Sequence, residues 1–349
     1  MRVSDYVAAW LAARGVTHVF ELAGGMIACL LDSLHRTTPI GIVSMHHEQA
    51  AGFAAEGYAR ISGRPGIAMA TSGPGATNLL TAIGSCYFDS TPSLFITGQV
   101  NRGERKGERS IRQLGFQETD IVAMARPVTK AAWLADDPDG IPALLDRAFA
   151  LATSGRPGPV LIDIPMDVQR ALLADPVQPS SPPEAAASGA AEVVFATLLG
   201  AALGKARAPL ILAGGGLNTG RALGAFRTLV DHLRIPVVHS LMAVDALPAD
   251  HPQRVGLIGS YGNRWANTAL GESDLLLVLG SRLDVRQTGA DTESFKRGRQ
   301  IFQVDCDAGE INNRVKGCVP LVGDLDPALR ALAALLPPAA CDAWRASRT

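Results

Sequence analysis

The feature that most constrains this chain is a set of short apolar runs without polar alternation, each separated from the next by a helix-length stretch. In the first half these runs are 17-THVFEL-22, 40-IGIVSM-45, 67-IAMAT-71, 93-SLFIT-97 and 159-PVLIDI-164. Unbroken apolar runs predict strands buried on both faces, and helices between them predict an open parallel sheet. The intervening helices include one whose apolar positions Val7, Trp10 and Leu11 share a face. Ser4 is its expected N-cap and Gly15 its stop. Others are 26-MIACLLDSLH-35 and an amphipathic stretch around 141–153.

Residues 171–192, rich in Pro, Ser and Ala, break this rhythm and predict a linker. A second α/β unit follows over 193–337, with strands expected at 208-APLILAG-214, 235-IPVVHS-240, 274-DLLLVLG-280, 300-QIFQVD-305 and 319-VPLVG-323 and a last helix at 326–336. Residues 338–349 resemble the start of another connector. The expected fold class is therefore α/β, with two consecutive open, mainly parallel sheets flanked by helices. A length of 349 residues suits two domains, and 47% apolar residues supply two cores.

Charge and cysteine usage exclude some classes. A formal net charge of −1 with no long basic stripe argues against a nucleic-acid partner. Cys29, Cys86, Cys306, Cys318 and Cys341 show no C-x-x-C spacing, so reduced thiols in a cytoplasmic protein are expected. Asp5, Arg14 and Gly15 interrupt any signal-like apolar core. No run of about 18 apolar residues suggests a membrane span.

Three segments carry candidate chemistry. In 46-HHEQAAGFAAEGYAR-60, Glu48 follows a strand and opens a helix, where free backbone N–H groups favour a carboxylate. Standing alone it would read as a simple cap or surface Glu, and His46 and His47 have no third ligand for zinc. In 71-TSGPGATNLLTAIG-84, a Gly-rich turn joins a strand to a helix and allows close backbone approach. No G-K-[ST] follows, so it is not a Walker P-loop. The segment 115-GFQETDIV-122 reads as a loop entering a helix, with Glu118 and Asp120 structural.

In this order and spacing, the 24-GG-25 turn, 46-HHEQAAGFAAEGYAR-60, 72-SGPGATN-78 and 116-FQETD-120 resemble the pyrimidine-binding (PYR) domain of thiamine-diphosphate enzymes of the acetolactate (acetohydroxyacid) synthase type. The second unit resembles that family's Rossmann-like central domain through 214-GGGLNTG-220, 236-PVVHSLMAVDALPADHP-252, 274-DLLLVLGSRLDVRQTG-289 and 304-VDCDAGEI-311. The resemblance implies a PYR domain over 1–170 and a central domain over 193–337. It implies that Glu48 bonds N1′ of the cofactor's aminopyrimidine ring and assists removal of the thiazolium C2 proton. Gly24, Gly25, Gly73, Pro74, Gly75 and Asn78 would shape the cofactor wall. Gln117 would act beside the thiazolium, with Phe116 and Arg112 on the substrate side.

In that family Mg²⁺ and the diphosphate are held on a third domain through a Gly-Asp-Gly segment, which is absent here; 323-GDLDP-327 lacks the second Gly. A separate diphosphate-binding subunit is therefore expected as partner, in dimers or tetramers of pairs, with no metal ligands on this chain. Gly214, Gly215, Gly216, Arg282 and Asp305 match nucleotide-contacting positions of the family, and the central domain is expected either to hold FAD or to be empty. Leu22-Ala23 stand where the family usually has Tyr-Pro, and the charged loop 101-NRGERKGERSIRQ-113 also departs. That loop is either a solvated surface or brings Arg109 or Arg112 to a substrate carboxylate or a partner. The implied activity is decarboxylation of a small 2-oxo acid with transfer of the acyl unit to an acceptor. The rivals are decarboxylation alone, or a non-catalytic regulatory subunit of the same fold.

Overall fold

In the computed structural model, residues 1–174, 189–218 and 222–338 are described, together with Trp344 and Ser347. The chain forms two compact units, one before and one after residues 175–188. Residues 171–174 of the expected linker tie back to the N-terminus: Val3 N–H donates to the Ala171 carbonyl, and Leu173 N–H to that of Met1. The first helix of the second unit begins at Ala190. Most of the linker and of the 338–349 connector lies outside the described residues.

The first unit holds strands β1 (His18–Leu22), β2 (Gly41–Ser44), β3 (Gly66–Ala70), β4 (Ser93–Gln99), β5 (Ala131–Leu134) and β6 (Pro159–Pro165). They form one parallel sheet in the order β2-β1-β3-β4-β6-β5. Every residue of β3, β4 and β6 is buried. Alternate side chains of β3 feed separate cores: Ile67 and Met69 join one, Ala68 and Ala70 the other. That two-sided burial explains the unbroken apolar runs. The order reverses between β1 and β3, the place where parallel sheets open a crevice at their carboxyl ends.

The second unit holds β7 (Pro209–Ala213), β8 (Val237–His239), β9 (Arg254–Leu257), β10 (Leu275–Leu279), β11 (Gln300–Asp305) and β12 (Val319–Val322). Its parallel order is β12-β11-β10-β7-β8-β9. Counted within the unit this is the 3-2-1-4-5-6 order of doubly wound nucleotide-binding folds.

Two strands, β5 and β9, go beyond the sequence expectation. The first helix also differs at its start. It runs Val3–Ala13, Arg2 occupies the N-cap, and Ser4 lies inside the first turn. Ser4 is buried and its hydroxyl accepts from Ser33, so it joins two helices rather than capping one.

Candidate active site

The site is built at the carboxyl ends of β1 to β4. After β2, His47 caps the helix Glu48–Ser62 through its Nδ1, which accepts from Gln49 N–H at 3.1 Å. Glu48 is the first residue of that helix and is 7% exposed. Its Oε2 accepts from Asn78 Nδ2 at 2.9 Å, while Oε1 accepts no hydrogen bond from the described residues. One oxygen is fixed and the other is left for something else.

Asn78 ends the short helix Pro74–Asn78 that grows out of the Gly-rich turn after β3. Gly73 has φ +64° and ψ −128°, a conformation that only glycine adopts without strain. A β-carbon there would also lie 2.7 Å from Cβ of Gln117. A β-carbon at Gly75 would stand 3.2 Å from Glu48 Oε1, and one at Gly24 only 2.4 Å from Cβ of Thr71. The β1 and β3 turns thus press together at the reversal point, joined by a bond from Met26 N–H to Thr71 Oγ1. Gly25 is exposed and faces open space, as is Pro74 exposed.

Gln117 itself has a positive φ of 60° and is half-buried. Phe116 is 74% exposed beside it. The expected structural roles of the next acids hold. Glu118 accepts from the backbone N–H groups of Lys106 and Leu114, and Asp120 caps the helix Ile121–Ala125. In the charged loop, Arg109 donates to the carbonyls of Arg105 and Lys106. Arg112 is exposed.

Sequence reasoning passed over two features of this region. Ser72, in the Gly-rich turn, is buried, and its hydroxyl has no partner among the described residues. Asp163, on β6, is 1% exposed and accepts from Thr97 Oγ1 at 2.7 Å and Gln99 Nε2 at 2.9 Å. Burial pushes its carboxyl up to about 6, against the pull of those two bonds. The available signal was an Asp inside an otherwise apolar strand, with Thr97 and Gln99 near the end of another.

In the second unit the order reverses between β7 and β10, and the Gly214–Gly216 turn sits there. Gly214 N–H donates to the Leu279 carbonyl and Gly216 N–H to that of Gly280. A β-carbon at Gly214 would lie 2.2 Å from the Gly280 oxygen, so the first glycine is required by backbone packing. Arg282 is exposed, its Nε 4.0 Å from Asp284 Oδ2. Asp305 is half-buried and accepts from Asp307 N–H. Around the ends of β7 and β8, Asn218 Oδ1, His239 Nε2 and Ser240 Oγ are buried and have no hydrogen-bond partner among the described residues. Burial also holds the His239 imidazole below its ordinary pKa.

Two family models match the chain: the N-terminal TPP-binding domain of thiamine pyrophosphate enzymes over residues 1–124, and the central domain of the same enzymes over 198–332. The chain belongs to the thiamine pyrophosphate enzyme family. Among curated proteins of this family it is 40% identical over 315 residues to the acetolactate synthase large subunit of Corynebacterium glutamicum, an alignment covering 88% of this chain and 48% of that protein. It is 41% identical over 334 residues to the acetolactate synthase large subunit IlvB1 of Mycobacterium tuberculosis (93% and 52%). With the acetolactate synthase isozyme 1 large subunit of Escherichia coli it shares 38% over 333 residues (95% and 58%). The chain spans about half the length of these relatives.

The first unit fits the pyrimidine end of thiamine diphosphate: a buried carboxylate with one open oxygen and an unpartnered Ser72 hydroxyl. The second unit's orphaned Asn218, His239 and Ser240 atoms fit a polar ligand such as a nucleotide, although Gly214 is already occupied by its own chain. No group of three or more His, Cys, Asp or Glu able to hold a metal ion occurs among the described residues. No described helix is long and apolar enough to cross a membrane.

Proposed function

We propose that this chain is a subunit of a thiamine-diphosphate-dependent enzyme that decarboxylates a small 2-oxo acid and joins the acyl unit to an acceptor. The observation that carries this reading is Glu48, buried, held through Oε2 by Asn78 and open at Oε1. The names of the relatives support the reaction class. When bound, thiamine diphosphate supplies a carbon nucleophile and an electron sink. Glu48 holds and returns a proton at Oε1, in a partly dry position suited to sharing it with a ring nitrogen. Asn78 orients that carboxylate. The Gly73 turn and Gln117 form one wall, with Phe116 and Arg112 toward the substrate.

The diphosphate and its Mg²⁺ are proposed to be held by a partner polypeptide, in dimers or tetramers of such pairs. FAD is proposed for the second unit on the strength of the orphaned polar atoms there; a flavin spectrum in the purified protein tests it.

Co-expression with a diphosphate-binding subunit, followed by assay with pyruvate and a second acceptor, tests the main reading. Glu48→Gln is expected to lower turnover by more than about 100-fold. Unchanged turnover would favour a non-catalytic subunit. Release of carbon dioxide without a ligated product would favour decarboxylation alone.

A further inference from the structure

Strands β4 and β6 run side by side, with Thr97 opposite Asp163 and Gln99 opposite Pro165. Their ends carry a buried carboxylate, Asp163, 1% exposed, that the proposed chemistry leaves unused. The Asp163 carboxylate accepts from Thr97 through one oxygen and from Gln99 Nε2 through the other. Gln99 does not stop there. Its Nε2 donates a second bond, 2.8 Å long, to the carbonyl of Thr119, and its Oε1 accepts from Val100 N–H at 3.0 Å. These bonds fix which end of the amide is nitrogen. Val100 demands an acceptor, whereas Asp163 and the Thr119 carbonyl both demand a donor.

Thr119 lies two residues beyond Gln117, and its hydroxyl reaches back to the Gln117 carbonyl at 3.5 Å. Gln117 in turn packs on Gly73, whose turn leads through Pro74–Asn78 to the amide that holds Glu48. A buried anion, one amide and one carbonyl therefore connect the sheet interior to the strained residue on the wall of the site.

We propose that Asp163, acting through Gln99, is a positioning residue that holds the Gln117 loop against the Gly73 turn. Its bearing on catalysis rests on the function proposed above; its bearing on the loop does not.

The charged groups that act on Asp163 are Arg105, which favours its ionised form, and Asp120, which opposes it. Both lie beyond β4, so ionisation of Asp163 and the placing of that segment are coupled. With the carboxyl ionised, Gln99 makes a charge-assisted bond. Once protonated near pH 6, the carboxyl can turn its proton toward Thr97, whose hydroxyl reverses, and the bond to Gln99 weakens.

The test is amide hydrogen exchange over residues 115–119 of the purified chain, corrected for intrinsic rates. A core variant elsewhere in the first unit, matched for global stability, is the control. Gln99→Leu is expected to speed exchange of these amides about five- to tenfold beyond the control. Equal exchange in the two would overturn the proposal. Asp163→Asn keeps an acceptor oxygen for Gln99 without titrating, and guards against a Gln99→Leu chain that fails to fold. In the native chain protection at 115–119 is expected to fall as pH drops through about 6, and in Asp163→Asn to stay level. A pH dependence that survives in Asp163→Asn would also overturn it. In a reconstituted enzyme, Gln99→Leu should lower kcat, and this loss should shrink to under about twofold in a Gln117→Ala background. A positive exchange result with no turnover by the native enzyme would sink the functional reading alone.

Discussion

Asn78 donates to Oε2 of Glu48 from the last residue of a one-turn helix, 30 positions along the chain. The acid and its orienting amide come from different strand–helix turns, so their geometry depends on β1, β2 and β3 being packed correctly. Replacing Asn78 by Ala leaves the carboxylate in place but removes the contact that selects its rotamer. Turnover of the reconstituted enzyme is expected to fall about ten- to 100-fold, with little loss of thermal stability because Asn78 is only half-buried. Steady-state kinetics beside a melting curve check this; parallel losses in both would make Asn78 a structural residue only.

The turn at Gly73 makes a contrasting case. An alanine there meets both an unfavourable φ of +64° and the Gln117 side chain at 2.7 Å. Gly73→Ala is expected to cost about 2 kcal/mol or more, read as a lower urea midpoint. Gly75→Ala keeps ordinary backbone geometry and crowds Thr71 Cγ2 at 2.8 Å and Glu48 Oε1 at 3.2 Å. Its expected signature is the reverse: a smaller stability loss, with cofactor-dependent activity reduced.

Much of this arrangement was legible in the sequence, and the parts that were not have physical reasons. Central strands such as β3 and β10 are buried on both faces and read as unbroken apolar runs. The edge strands β5 and β9 are four residues each and only partly buried: Ala131–Leu134 is apolar but very short, and Arg254–Leu257 opens on a charge and contains a glycine. β9 also contains Gly256 at a register irregularity. Glu48 stood out only through the resemblance of the motifs around it, since a lone carboxylate at a strand-to-helix junction reads as a cap. The Asp163, Gln99 and Thr97 cluster did not, since it exists only when β4 and β6 are neighbours, and β5 lies between them in the chain.

Asp163 also gives the first unit a pH signature. Its folded-state pKa is about 6, above the ordinary value of 3.8. Between these values the folded chain binds a proton that the unfolded chain has released. Its stabilising contribution is therefore full below pH 3.8 and lost as pH rises through about 6. The difference corresponds to roughly 3 kcal/mol as an order of magnitude. Asp163→Asn should flatten this component of the stability curve. Urea unfolding at several pH values between these limits would show it; a native and a variant chain with the same pH slope would contradict it.

In the second unit, Arg299 is a half-buried cation without a carboxylate partner among the described residues. Desolvation lowers its pKa to about 10, so it remains charged at neutral pH. Backbone oxygens stabilise it instead: the guanidinium donates to the carbonyls of Leu270, Ser273 and Phe295 and lies against the Phe295 ring, 5.1 Å from its centroid. Leu270 and Ser273 belong to the end of the helix Arg264–Glu272, where unpaired carbonyls and the helix dipole favour a cation. Removing the guanidinium takes a donor from each of these oxygens in a half-dry position, although the Leu270 carbonyl keeps its bonds from Ser273 N–H and Oγ. Arg299→Met is thus expected to cost about 2–3 kcal/mol. Arg299→Lys should recover less than half of that, because one ammonium cannot serve three carbonyls held in a fork. Since no acidic side chain is involved, raising the salt concentration should leave both losses nearly unchanged. Urea titrations of the three proteins at low and high salt test this, and a loss that disappears at high salt would mean that an ion pair, not the helix end, holds Arg299.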